Sequence, residues 1–98
     1  MTHPEFVEAK DVRFFEITEV TKGGRNYLHL RGLVFHSALA VKGIEITAEP
    51  DGQWVLVSLT PATRDLSGTF EVDVPLLESK KVVKFGPLKT KIWPTEQR

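Results

Sequence analysis

Apolar and polar residues alternate with period two along most of this chain. Residues 69–75 read T-F-E-V-D-V-P, with Phe70, Val72 and Val74 on one side and Thr69, Glu71 and Asp73 on the other. That is the pattern of a half-buried strand with one wet face. Residues 53–60 read Q-W-V-L-V-S-L-T. Val55, Val57 and Leu59 form one face, and Trp54, Leu56 and Ser58 the other. Both faces are partly apolar, which predicts a central strand. Residues 41–49 place Ile44, Ile46 and Ala48 on one face. The intervening E-P-D-G-Q has turn chemistry: Pro50 fixes its own φ, Asp51 favours a turn and Gly52 tolerates positive φ. These two strands are predicted to form a hairpin.

The first half reads the same way. Residues 12–20 are rich in β-branched and aromatic side chains, and T-K-G-G-R follows as a turn signal. Residues 26–35 then direct Leu28 and Leu30 inward and Tyr27, His29 and Arg31 outward. Leu33, Val34 and Phe35 are apolar in succession, so a bulge or bend is expected near Gly32. Two short strands, 81–85 and 89–93, flank the turn F-G-P-L-K. Residues 5–11 are helix-friendly but too few to stand alone, and L-L-E-S-K-K has room for a single turn. About seven strands at regular spacing predict an all-β fold, an antiparallel immunoglobulin-like sandwich, with a small β-barrel as the alternative. The expected organisation is a loose arm at 1–10, one domain at 11–94 and a tail at 95–98.

Composition narrows the function classes. The chain has 98 residues, 41% of them hydrophobic and 27% charged, which excludes a disordered chain. Thirteen basic residues balance thirteen acidic ones, against a general nucleic-acid binder. No apolar run approaches the roughly 18 residues of a membrane-spanning helix. There is no cysteine, hence no disulfide, thiolate metal site or cysteine nucleophile. The first residues contain no apolar signal-peptide core. A cytosolic protein without a cofactor is expected.

Charge is balanced overall but not locally. Between residues 43 and 79 seven acids, among them Glu45, Glu71 and Asp73, face one base, Arg64; residues 80–91 hold five lysines, including Lys84, Lys89 and Lys91, and no acid. One reading is a solvated strand face and lysines that guard a sheet edge. The other is a two-signed surface that orients a charged partner.

Candidate chemistry is sparse. His3, His29 and His36 are the three histidines; neither His29 nor His36 has a carboxylate at ligand-like spacing, so no metal site is expected, and His29 is expected to be exposed. Ser37 beside His36 lacks a nucleophile elbow. Glu71 and Asp73 share a face, about 7 Å apart by strand geometry. Such a pair serves glycosidases only where a sugar cleft exists. Gly23 and Gly24 precede a strand, without the helix N-terminus that a phosphate loop uses. Trp54 and Trp93 are expected in core or end-plug positions; the alternative is an exposed stacking platform.

The segments H-S-A-L-A-V (36–41), S-G-T-F-E-V-D-V-P (67–75) and K-F-G-P-L-K-T-K-I-W (84–93) resemble a loose group of small bacterial β-sandwich proteins of unassigned role. The resemblance spans residues 12–93. It implies the sandwich and a bacterial origin, and transfers no catalytic residue. The expected function is a non-catalytic cytosolic protein-binding module, such as an inhibitor or an immunity protein covering a partner enzyme. Its expected contacts are Glu45, Glu71, Asp73, Lys84, Lys89 and Lys91. The alternative is a carbohydrate- or small-ligand-binding sandwich stacking its ligand on Trp54 or Trp93. A homodimer through a free edge strand is compatible with either.

Overall fold

A computed structural model describes residues 6–34, 38–63, 67–76 and 82–94. A single 3-10 turn at Ala9–Asp11 leads into seven strands: β1 (Val12–Lys22), β2 (Arg25–Val34), β3 (Leu39–Glu49), β4 (Gly52–Pro61), β5 (Thr69–Pro75), β6 (Val82–Phe85) and β7 (Thr90–Trp93). They form two sheets, ordered β1-β2-β5 and β3-β4-β6-β7. Each sheet keeps its own edges, so the layers stack as a β-sandwich and do not close into a barrel.

Period-two alternation forms this core. Leu28, Leu30 and Val74 of one sheet and Val55, Val57, Val83 and Phe85 of the other are fully buried. Burying each such side chain stabilises the fold by about 1.5–3 kcal/mol before chain entropy is subtracted. Phe85 joins the layers. Its ring lies 5.8 Å from Phe70 of β5 and 5.2 Å from Phe15 of β1, the latter edge-to-face.

Three departures from the sequence pattern have physical causes. First, β4 and β6 run parallel, from Gly52 beside Val82 to Val55 beside Phe85, so the larger sheet is mixed. The other four pairings among the described residues are antiparallel. β5 belongs to the opposite layer, so the chain crosses over and back before β6, the type of connection a parallel pair requires. The seam is tight: a Cβ at Gly52, whose φ is +157°, would stand 1.7 Å from the Val82 carbonyl oxygen.

Second, β2 is not bulged at Gly32. Its alternation continues through Gly32 and Val34, which face inward, and Leu33, which faces outward. The irregularity lies in β1, between Arg13 and Glu16, where Phe14 takes φ +53°. Gly32 is needed for space instead: a Cβ there would meet Val12 Cγ1 at 2.4 Å and Phe70 Cζ at 3.1 Å. Third, Ile46 and Ala48 do not line the core. They sit on an exposed stretch of β3, an edge strand.

The expected loose arm is docked from Phe6 onward. Phe6 bridges Ser58, the Val7 N–H donates to the Val57 carbonyl at 3.1 Å, and Val7 is buried in the core. Val7 is one more apolar side chain that the core accepts, and its backbone continues the β4 edge past the end of β6. The expected turn at 76–81 lies largely outside the described residues, as do His3, His36, Ser37, Arg64 and the tail at 95–98.

Candidate functional site

Residues opposite each other in register share a sheet face. On the outer face of β1-β2-β5 this rule stacks three rows across the strands. Arg13, Leu33 and Thr69 form one, Glu16, Arg31 and Glu71 the next, and Thr18, His29 and Asp73 the third. His29 is the centre of a charged chain. Its Nδ1–H donates to Asp73 Oδ1 at 2.6 Å and its Nε2–H donates to Glu71 Oε2 at 2.7 Å. Lys22, from the far end of β1, pairs with the second oxygen of Asp73. The ring is about one-third exposed, Glu71 far more so.

Two donors on one imidazole require the protonated ring. The hydrogen bond to Asp73 foremost, reinforced by Glu71, raises the His29 pKa above its ordinary 6.5, against partial desolvation. The same contacts act in reverse on Asp73. Lys22 first, and then His29, hold its carboxyl below the ordinary value of 3.8, while Asp73 raises Lys22. The two carboxylates occupy different ring nitrogens, so they do not converge with the ring on one point in space. No group of three or more His, Cys, Asp or Glu residues placed for a metal ion occurs among the described residues. What the arrangement can do is hold a proton and use it to fix two carboxylates.

Beside this chain lies a shallow groove of about 550 Å³, lined by Phe14, Leu33, Thr69, Glu16, Arg31 and Glu71. The β1 bulge makes it. Phe14 is displaced from the ladder and is 82% exposed, while the next residue, Phe15, returns to the core. A bulky residue in the left-handed region is a conformational outlier, disfavoured by about 1–2 kcal/mol.

A second cluster covers the outer face of the other sheet. Trp54 on β4 is half-buried, and its indole N–H donates to the Gly86 carbonyl at 2.8 Å. Lys89 Nζ stands 4.4 Å over the ring and 2.8 Å from Glu49. Lys84, opposite Trp54 on β6, reaches Glu49 at 3.4 Å and Asp51 at 3.2 Å. Lys89 first, and then Lys84, lower the Glu49 pKa; Lys84 lowers that of Asp51, and Asp51 raises that of Lys84.

Of the six charged residues expected to meet a partner, the structure brings Glu71 and Asp73 together, with His29 between them. Glu45 does not join them. It pairs with Leu56 on the outer face of the opposite sheet. Lys84 and Lys89 are held by Glu49 and Asp51, and Lys91 sits opposite Lys84 on β7, exposed. Of the tryptophans, Trp93 packs against the core and Trp54 lies under Lys89. Phe14, Leu33 and Arg31 were missed. Their signal was the run of apolar residues at 33–35, which marked an irregularity on β2 but not its position on the neighbouring strand.

No family model matches the chain, and no curated protein or solved structure matches it significantly. No helix among the described residues is long and apolar enough to cross a membrane.

Proposed function

We propose that this chain is a non-catalytic binding module that engages a protein partner through the outer face of β1-β2-β5. The observation that carries this reading is Phe14. Strain and exposure both disfavour a large aromatic ring there, and strained positions of this kind concentrate where a ligand is clamped. An exposed aromatic next to a guanidinium is also the composition of an interface hot spot. The charged residues first expected to meet the partner contribute less, because their charges are already matched within the chain.

An inhibitor or immunity protein that covers a partner enzyme is the specific form of this proposal, acting in the cytosol. Stacking of a sugar or small ligand on Trp54 is less well supported, since Lys89 occupies one face of the ring. Edge-strand homodimerisation is not favoured along β1 or β3, because bulges interrupt both edges.

The test is reconstitution. A partner recovered with the tagged chain is identified, purified and remixed at defined stoichiometry. Phe14→Gly relieves the left-handed strain, so the variant keeps its stability and loses the complex. Glu45→Gln, on the opposite face, keeps it. A Phe14→Gly variant that still forms the complex, or the failure of any partner to reconstitute at low salt, rejects the proposal.

A further inference from the structure

Glu71 borders both features of the outer face. Directly across the strands its partner is Arg31, yet its carboxylate reaches diagonally to His29. Directly opposed side chains are the nearer pair, with Cβ atoms about 4.5–5.5 Å apart, so the diagonal contact needs a cause. The cause is the second N–H of the imidazolium. Arg31, left by Glu71, has no ion-pair partner among the described residues. Arg31 lines the groove together with Phe14, Leu33 and Glu16, the last directly across from it on β1.

We propose that the protonation state of His29 decides which cation Glu71 pairs with, and thereby opens or closes Arg31 to an acidic side chain of the partner. This rests on the docking face proposed above. With His29 charged, Glu71 is neutralised by the ring, and Arg31 presents five N–H donors beside two apolar side chains, with Glu16 as the one carboxylate left across from it in both states. A partner segment with an acidic residue next to an aromatic one matches that surface.

When His29 loses its proton, one nitrogen keeps its N–H. Asp73 retains it, being the less exposed carboxylate and the one fixed by Lys22. The other nitrogen then turns a lone pair toward Glu71, and the more exposed carboxylate moves to Arg31. The groove gains a negative charge and its cation is occupied. The charged and titratable groups facing the ring are Lys22 and Glu16 from β1, Tyr27 and Arg31 along β2, and Glu71 and Asp73 from β5. Lys22 keeps its charge through the titration, since its pKa is raised above 10.5, and Asp73 stays ionised because its own is lowered.

The experiment uses the whole chain and two peptides, acetyl-phenylalanyl-glutamyl amide and its glutaminyl counterpart. NMR follows the His29 ring signals with pH, together with the Leu33 and Thr69 amides and the Arg31 side-chain N–H. The acidic peptide is expected to bind the groove about tenfold more tightly at about pH 6 than above the end of the His29 titration. Glu71→Gln should bind it equally at both pH values, and Arg31→Gln weakly at both. The glutaminyl peptide should show no pH dependence. The proposal is overturned if the Arg31 signals ignore the His29 titration, if Glu71→Gln keeps the pH dependence, or if neither peptide perturbs the groove. The partner complex and its Phe14→Gly variant are scored separately. An intact complex with a pH-independent peptide removes the gate and leaves the docking face standing; a complex indifferent to Phe14 removes the face itself.

Discussion

On the outer face of β3-β4-β6-β7, Lys84 and Lys89 pair with carboxylates supplied by the adjoining hairpin, Glu49 and Asp51, with Trp54 beneath Lys89. On the outer face of β1-β2-β5 the pivot is a histidine, and its carboxylates come from a strand more than forty residues away. Both faces are half-exposed charge networks on twisted sheets. They differ in what happens near neutral pH. Lys84, whose pKa Asp51 and then Glu49 raise above the ordinary 10.5, stays charged there, whereas a histidine network changes state within the ordinary range. The first therefore serves as fixed cladding over a tryptophan. The second is a surface whose charge responds to a proton.

The largest predicted effect breaks the first face at its root. Gly52→Ala puts a methyl group against the Val82 carbonyl in the parallel seam that sets Lys84 beside Trp54. It should destabilise the domain by about 3 kcal/mol or more, read from urea unfolding, because neither backbone can yield. An equally stable variant would mean that β4 and β6 are not held in this register.

A smaller effect sharpens the contrast without breaking the fold. Trp54→Phe removes the donor to the Gly86 carbonyl and should cost about 1 kcal/mol. Lys89→Met removes the cation over the ring, a loss of about 0.5 kcal/mol, and should raise acrylamide quenching of the Trp54 fluorescence. Quenching that does not change would place Lys89 away from the indole.

The smallest effect lies on the other face and has a sign fixed by linkage. The folded pKa of His29 is raised, so its contribution to stability is complete below the unfolded value of about 6.5 and is lost as pH rises through the folded one. Asp73, Glu49 and Asp51 have lowered values, and their contributions are lost in the opposite direction, as pH falls through the folded values. Stability should therefore decline as pH rises from about 6.5 through the raised His29 value. His29→Gln should abolish that slope while keeping the acid decline that both faces share. Solvent screening keeps the amplitude small. A wild-type curve that is flat from 6.5 to 10.5, the ordinary values of histidine and lysine, would show that the ring is not clamped from both sides.

Most of the layer structure was legible in the sequence, because each strand declares its own buried face: Val55, Val57, Phe70 and Val74 point inward as alternation requires. The candidate site was legible only in fragments. That Glu71 and Asp73 share a face follows from strand geometry, and that His29 faces outward follows from its place between Leu28 and Leu30. That the ring lies between the two carboxylates depends on β5 pairing with β2 in one register among several that would bury the same side chains. Ile46 shows the same limit, since an alternating face is a core face only where another layer covers it.

Local sequence specifies the strands, the inward side chains apart from Ile46 and Ala48, and the turns at Gly23 and Gly24 and at Pro50 to Gly52. These depend on neighbours along the chain and on a period of two. Long-range strand pairing set the parallel seam of β4 and β6, the transfer of the irregularity from Gly32 to Phe14, and the separation of Glu45 from Glu71 onto opposite faces. Each of these turns on which strand lies beside which, and pairing between distant strands is settled by the packing of the whole, not by any segment's own preference.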